Sequence, residues 1–181
     1  MFARRIAVIG SGYVGLSTGA CLASLGHRMI CADVDAGRIE RQRRIVIDKI
    51  VDAAACSVAG RRIGLLRLTF KAGTNDLRDS PALAVARLLR AAGAEPTAYD
   101  PGCPAAVPAV TDDVNVVDEP LLAADDADAL VVLTEWPEFR SLAWPAVAGA
   151  LAHRVVVDTR NLLDPDVLCR AGISWVGVGR R

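Results

Sequence analysis

A short apolar strand that runs through a tight loop into a helix severely restricts what a chain can fold into, and this chain carries that opening twice. Residues 5–33 read Arg-Ile-Ala-Val-Ile-Gly-Ser-Gly-Tyr-Val-Gly and continue to Cys-Ala-Asp. Residues 61–81 read Arg-Arg-Ile-Gly-Leu-Leu-Arg-Leu-Thr-Phe-Lys-Ala-Gly-Thr-Asn-Asp-Leu-Arg-Asp-Ser-Pro. Each apolar run suits a strand buried on both faces of a parallel sheet. The stretch between the two openings is too short to hold a complete nucleotide-binding domain.

The rest of the chain keeps the alternation. Ala3–Ile9 is expected as a strand, Tyr13–Leu25 as a helix stopped by Gly26, and Arg28–Ala32 as a second strand ending at Asp33. Ala36 to about Ala55 reads as one long helix, with Ile39, Ile45, Ile50 and Val51 on a stripe. Ile63–Leu68 restarts the strands, and Ser80-Pro81 opens a helix that runs to Gly93. Further strands are expected at Pro96–Tyr99, Val114–Val117, Ala129–Leu133, Val155–Val157 and Ile173–Val176. Helices are expected at Glu119–Ala124, Trp144–Ala152 and Pro165–Ala171. Alternating strands and helices call for parallel pairing with right-handed crossovers, hence an α/β fold with a doubly wound, Rossmann-like parallel sheet.

Composition narrows the function classes. With 52% apolar residues, the 181-residue chain can bury a substantial core. Lys plus Arg and Asp plus Glu both number 21, so no global field points to nucleic acid or an anionic membrane. No stretch approaches the ~18 uncharged apolar residues that span a bilayer. The five cysteines are an odd number without CxxC spacing, which predicts a reducing, cytoplasmic compartment.

Three strings carry chemistry. Gly10, Gly12 and Gly15 form a GxGxxG between a strand and a helix. The first glycine permits the turn, the second lets a pyrophosphate approach the backbone, and the third allows close helix–strand packing. The phosphates would sit on the helix N-terminus, where free N–H groups and the dipole favour anions. Asp33, at the end of the next strand, suits a ribose diol and repels a 2′-phosphate, favouring NAD over NADP. A purely structural glycine turn is the alternative. The second string places Lys71 and Arg78 between a strand and a helix start, where they can meet a phosphate. Taken alone, such a string more often reads as a solvated charged loop with Asp79 or Ser80 as N-cap. The third is Asp158-Thr159-Arg160-Asn161 at a strand end, the side of an open α/β sheet that faces ligands, or simply a charged turn.

Together these strings resemble the UDP-glucose/GDP-mannose dehydrogenase family, in its bacterial UDP-glucose 6-dehydrogenase branch. Residues 1–40, with Gly-Tyr-Val-Gly-Leu and Asp-Val-Asp, look like the family's N-terminal opening. Residues 41–181 look like its C-terminal UDP-binding domain, with Phe-Lys-Ala-Gly-Thr-Asn-Asp-Leu-Arg-Asp-Ser-Pro, Tyr-Asp-Pro and Asp-Thr-Arg-Asn. The resemblance implies a truncated NAD-binding βαβ unit over 1–40, a connecting helix over 41–56 and a UDP-sugar-binding domain over 57–181. It implies NAD contacts at Gly10, Ser11, Gly12, Tyr13, Val14 and Gly15, and at Asp33, Arg38 and Arg78. It implies UDP-sugar contacts, to UDP-glucose or UDP-glucuronate, at Lys71 and Arg160.

The family reaction converts UDP-glucose and two NAD to UDP-glucuronate through a thiohemiacetal on a cysteine in a Gly-Phe-Gly-Gly-Ser-Cys loop. No such loop occurs in this chain, so the resemblance implies no catalytic residue here and impaired turnover. A non-catalytic binding module or a gene remnant is the alternative. An incomplete βαβ unit leaves sheet edge and apolar helix surface, which implies a partner in a second copy or a full-length relative. Two local departures are Asn75 for an Asp and Arg67 for a Gly, the latter expected to crowd a close backbone approach.

Overall fold

The computed structural model describes residues 5–9, 28–32, 36–53, 57–69, 77, 80–103 and 114–178, with residues 5–9, 28–32, 36–40 and 42 described by backbone alone. The helix expected at Tyr13–Leu25 lies outside them. The chain divides into two compact units, Met1–Gln42 and Arg43–Arg181.

In the first unit, strands β1 (Arg5–Ile9) and β2 (Arg28–Ala32) pair in parallel, from Arg5 opposite Arg28 to Ile9 opposite Ala32. Both strands therefore end level. In the sequence, Gly10 and Asp33 are the next residues. Helix α1 (Ala36–Ala53) begins in this unit and ends in the second.

The second unit is built on one six-stranded sheet. Its strands are β3 (Arg62–Leu66), β4 (Glu95–Tyr99), β5 (Asn115–Val117), β6 (Ala129–Val132), β7 (Val155–Asp158) and β8 (Ser174–Gly177). They run in the order β5-β4-β3-β6-β7-β8, and every pair is parallel. This is the doubly wound α/β arrangement expected from the alternation. All four residues of β6 and the last four of β3 are buried, as central strands covered on both faces must be.

The helices are α2 (Pro81–Ala91), α3 (Pro120–Ala124), α4 (Trp144–Ala150) and α5 (Pro165–Arg170), with a 3₁₀ turn at Pro137–Ser141. Alternate side chains of each strand feed two cores. Ile63, Leu65 and Val131 pack with Leu83 and Leu89 of α2 and Ile50 of α1. Leu66, Leu130 and Val156 pack with Ala124, Val147 and Leu168 of α3, α4 and α5. Gly64 lets α3 lie flat on β3, because a Cβ there would run into the Ala123 carbonyl oxygen.

Four details differ from the sequence expectations, each for a physical reason. Strand β3 stops at Leu66 rather than Leu68, because Arg67 takes a positive φ of 84° and turns the chain. Ile45 does not join the buried stripe of α1 and is 49% exposed. The buried face is Ile50 with Val46, Ile47 and Val51, whose spacings of three and four keep them together, while Ile45 falls about 100° away from Val46. Helix α4 ends at Ala150, two residues early, because Leu151 is extended. The 3₁₀ turn was not foreseen, since a single turn has no amphipathic period to read.

Candidate functional site

The crossover direction reverses between β3 and β6, so the C-terminal ends of these central strands form the switch point where open α/β sheets bind ligands. Four strands bring chemistry to this edge in spatial order: Asp100 after β4, Arg67 and Thr69 after β3, Leu133 after β6, and Asp158 to Arg160 on and after β7.

Asp100 is 3% exposed and spends its carboxylate on backbone donors. Its Oδ2 accepts from Leu68 N at 2.8 Å and Thr69 N at 2.6 Å, and its Oδ1 accepts from Gly102 N at 2.7 Å. Across the same loop, Ser80 Oγ donates to the Leu68 carbonyl and accepts from Leu83 N at 3.3 Å as the N-cap of α2. Leu68, Thr69 and Ser80, which flank residues 70–79 in the sequence, are thus tied to the sheet and to α2. Of the two N-cap residues considered from sequence, Ser80 fills the role.

Arg67 is fully buried. Its guanidinium lies 3.6 Å from the Trp136 ring centroid, its Nε donates to Thr69 Oγ1 at 2.6 Å, and Asp100 Oδ2 is 3.8 Å away. Burial pulls its pKa below the ordinary arginine value, while Asp100 and Glu138 oppose that shift. The backbone at Arg67 adopts the positive-φ conformation natural to glycine, and its side chain lies against the Trp136 ring.

Arg160 is exposed, yet held at two points. Its backbone N–H donates to Asp158 Oδ1 at 3.0 Å, and its Nε donates to the Leu133 carbonyl at 3.0 Å. The side chain thus lies along the edge from β7 to β6, towards the switch point. Thr159 reinforces the turn, its N and Oγ1 donating to the Val132 carbonyl at 3.1 and 2.7 Å. Such an edge can present a planar cation to a phosphate or carboxylate.

Of the residues singled out from sequence, Arg160 therefore stands at the switch-point edge. Gly10, Ser11, Gly12, Tyr13, Val14, Gly15, Asp33, Lys71 and Arg78 lie outside the described residues, and Arg38 is described only by its backbone in α1. Sequence reasoning passed over Asp100, Thr69 and Trp136 as site residues. The available signal was an acidic residue directly after a strand of an open sheet, in the Tyr-Asp-Pro string. Among the described residues, no group of three or more His, Cys, Asp or Glu could hold a metal ion, and no helix is long and apolar enough to cross a membrane.

Comparison with known proteins adds to this geometry. Residues 64–165 match the UDP-glucose/GDP-mannose dehydrogenase family, UDP binding domain, and residues 4–85 match the NAD binding domain of the same family. The chain is 36% identical over 141 residues to a UDP-glucose 6-dehydrogenase of Rhizobium meliloti, covering 78% of this chain and 32% of that protein. It is 36% identical over 142 residues to UDP-glucose 6-dehydrogenase TuaD of Bacillus subtilis, with coverages of 78% and 31%. A solved UDP-glucose dehydrogenase from the archaeon Pyrobaculum islandicum superposes with a TM-score of 0.61 at 27% identity, over 78% of this chain and 30% of that one. The chain thus spans about a third of the length of these relatives. Because the UDP binding domain match covers more than half of this chain, the chain belongs to the UDP-glucose/GDP-mannose dehydrogenase family.

Proposed function

We propose that this chain is a nucleotide-sugar-binding member of the family, taking UDP-glucose or UDP-glucuronate at the switch-point edge, and that by itself it does not complete the two hydride transfers. One observation carries the reading: Arg160 is held by Asp158 and the Leu133 carbonyl with its guanidinium at the C-terminal edge of β6. Lys71 and Arg78, on the segment that Asp100 and Ser80 tie at its base, supply the further cations in this reading. The functional division follows as an NAD-binding βαβ unit over 1–40, a connecting helix over 41–56 and a UDP-sugar domain over 57–181.

NAD is assigned to the first unit. The level ends of β1 and β2 suit it, since Gly10 and Asp33 directly follow Ile9 and Ala32. Gly10 to Gly15 would hold the pyrophosphate, Asp33 the adenosine ribose, with Arg38 and Arg78 beside the cofactor. Bound there, NAD would supply a hydride acceptor. Hydride transfer from the sugar still needs a nucleophile to carry the intermediate, and no cysteine of this chain has the family's Gly-Phe-Gly-Gly-Ser-Cys neighbourhood.

The test has two arms. Calorimetric titration with UDP is expected to show binding that weakens about 10-fold or more in Arg160→Ala and in Lys71→Ala, as loss of a charge-assisted contact predicts. Absorbance at 340 nm with NAD and UDP-glucose is expected to stay flat at high protein concentration. Sustained NADH formation would overturn the non-catalytic part; absence of UDP binding would overturn the site.

A further inference from the structure

We infer that Asp158 is a positioning residue, whose buried carboxylate sets the reach of Arg160 towards the ligand, and this rests on the UDP-binding reading above. Asp158 is fully buried at the end of β7. A buried carboxylate is costly unless its oxygens are satisfied, so the identity of its donors shows what it holds in place. Oδ1 accepts from Arg160 N at 3.0 Å. Oδ2 accepts from Leu163 N at 2.8 Å and from the Trp175 indole Nε1 at 3.4 Å.

These bonds wrap the chain around one carboxylate. The bond to Arg160 N alone would be an ordinary Asx turn, which Asn or Ser can also make. The second oxygen adds Leu163 five residues on and Trp175 on the neighbouring strand β8, so both ends of segment 160–163 are referred to the sheet. Asn161 completes the turn at a positive φ of 51°, its Nδ2 donating to the Val178 carbonyl at 3.0 Å. With its main chain fixed, Arg160 uses Nε on the Leu133 carbonyl, and its two terminal nitrogens remain uncommitted among the described residues. A guanidinium anchored through Nε and open at both Nη atoms offers a pre-set fork for a diphosphate or a sugar carboxylate.

Asp158→Asn keeps the shape but turns one acceptor into a donor facing an N–H, so the turn cannot keep all its bonds. Asp158→Ser keeps one acceptor for Arg160 N and is the fallback if the Asn variant does not unfold cooperatively in urea. The probes are UDP and uridine, titrated against wild type, the Asp158 variant, Arg160→Ala and the double variant. The expected result is a UDP affinity about 5- to 10-fold weaker in the Asp158 variant, with at most about 2-fold further loss when added to Arg160→Ala, because coupled residues are non-additive. Uridine affinity should stay within about 2-fold, since a purely structural effect would weaken both ligands alike.

Additive losses, or equal losses for UDP and uridine, would overturn the positioning role while leaving the binding site intact. Absence of UDP binding by the wild type would overturn the site and the positioning role together. Hydrogen exchange adds a readout that needs no variant. The Arg160 and Leu163 amides should be protected in the wild type, and exchange at the rate of exposed amides would overturn the proposal.

Discussion

Arg67 shows how much one residue can depart from local preference when its surroundings over-determine it. A non-glycine residue at φ 84° is disfavoured by contact between Cβ and the backbone, by roughly 1–2 kcal/mol. Here the side chain is held from three directions, by Trp136, Thr69 and Asp100. Replacing it separates the two effects. Arg67→Gly and Arg67→Ala both lose the cation–π contact and the ion pair, but only Gly relieves the backbone. We expect Arg67→Gly to be more stable than Arg67→Ala by about 1 kcal/mol in urea unfolding. An alanine variant equal to or better than glycine would show that the turn relaxes at no cost. The substitution for glycine was visible in the sequence. The direction its side chain takes was not, because Trp136 and Asp100 come from the loops that follow other strands.

At the scale of elements, the strands and helices follow from patterning, and their ends follow from capping. Ser80 with Pro81 starts α2 in the sequence and in the structure, and Gly93 at φ 87° closes the turn after it. The Pro137–Ser141 turn depends instead on a distant partner. Phe139 is fully buried and meets Tyr99 edge to face at 6.4 Å between ring centroids, which no local window reveals. The contact between α3 and β3 is equally non-local. Gly64→Ala should cost about 1–3 kcal/mol, since the added methyl meets the Ala123 carbonyl and α3 must shift. Thermal unfolding checks this. An unchanged midpoint would mean that α3, only five residues long, moves freely on the sheet.

At the scale of the larger unit, two cores flank the six-stranded sheet, and two ionisable groups packed in them, buried Cys103 and half-buried Tyr99, link stability to pH. Burial raises the pKa of Cys103, with a further push from Asp100. Burial likewise raises that of Tyr99, followed by Glu138, Asp100 and Glu119. Both groups therefore keep their protons to higher pH in the folded chain than in the unfolded one. Their contribution is fully present below the ordinary cysteine value of about 9 and is lost as pH rises through the folded values. Urea unfolding should therefore show stability falling above that pH, and Cys103→Ala should remove the cysteine part of the fall. A pH-independent unfolding free energy up to the tyrosine range would refute this. The alternation of strands and helices, the parallel sheet and the family strings were legible without coordinates, because periodicity, capping and glycine spacing act within a few residues of chain. The full hydrogen-bonded surroundings of Asp100 and Asp158 were not, because beside their local donors each also accepts from a group 17 to 32 residues away that meets it only when neighbouring strands align. Local chemistry set which elements form, whereas long-range pairing set which way Arg67 and Arg160 point.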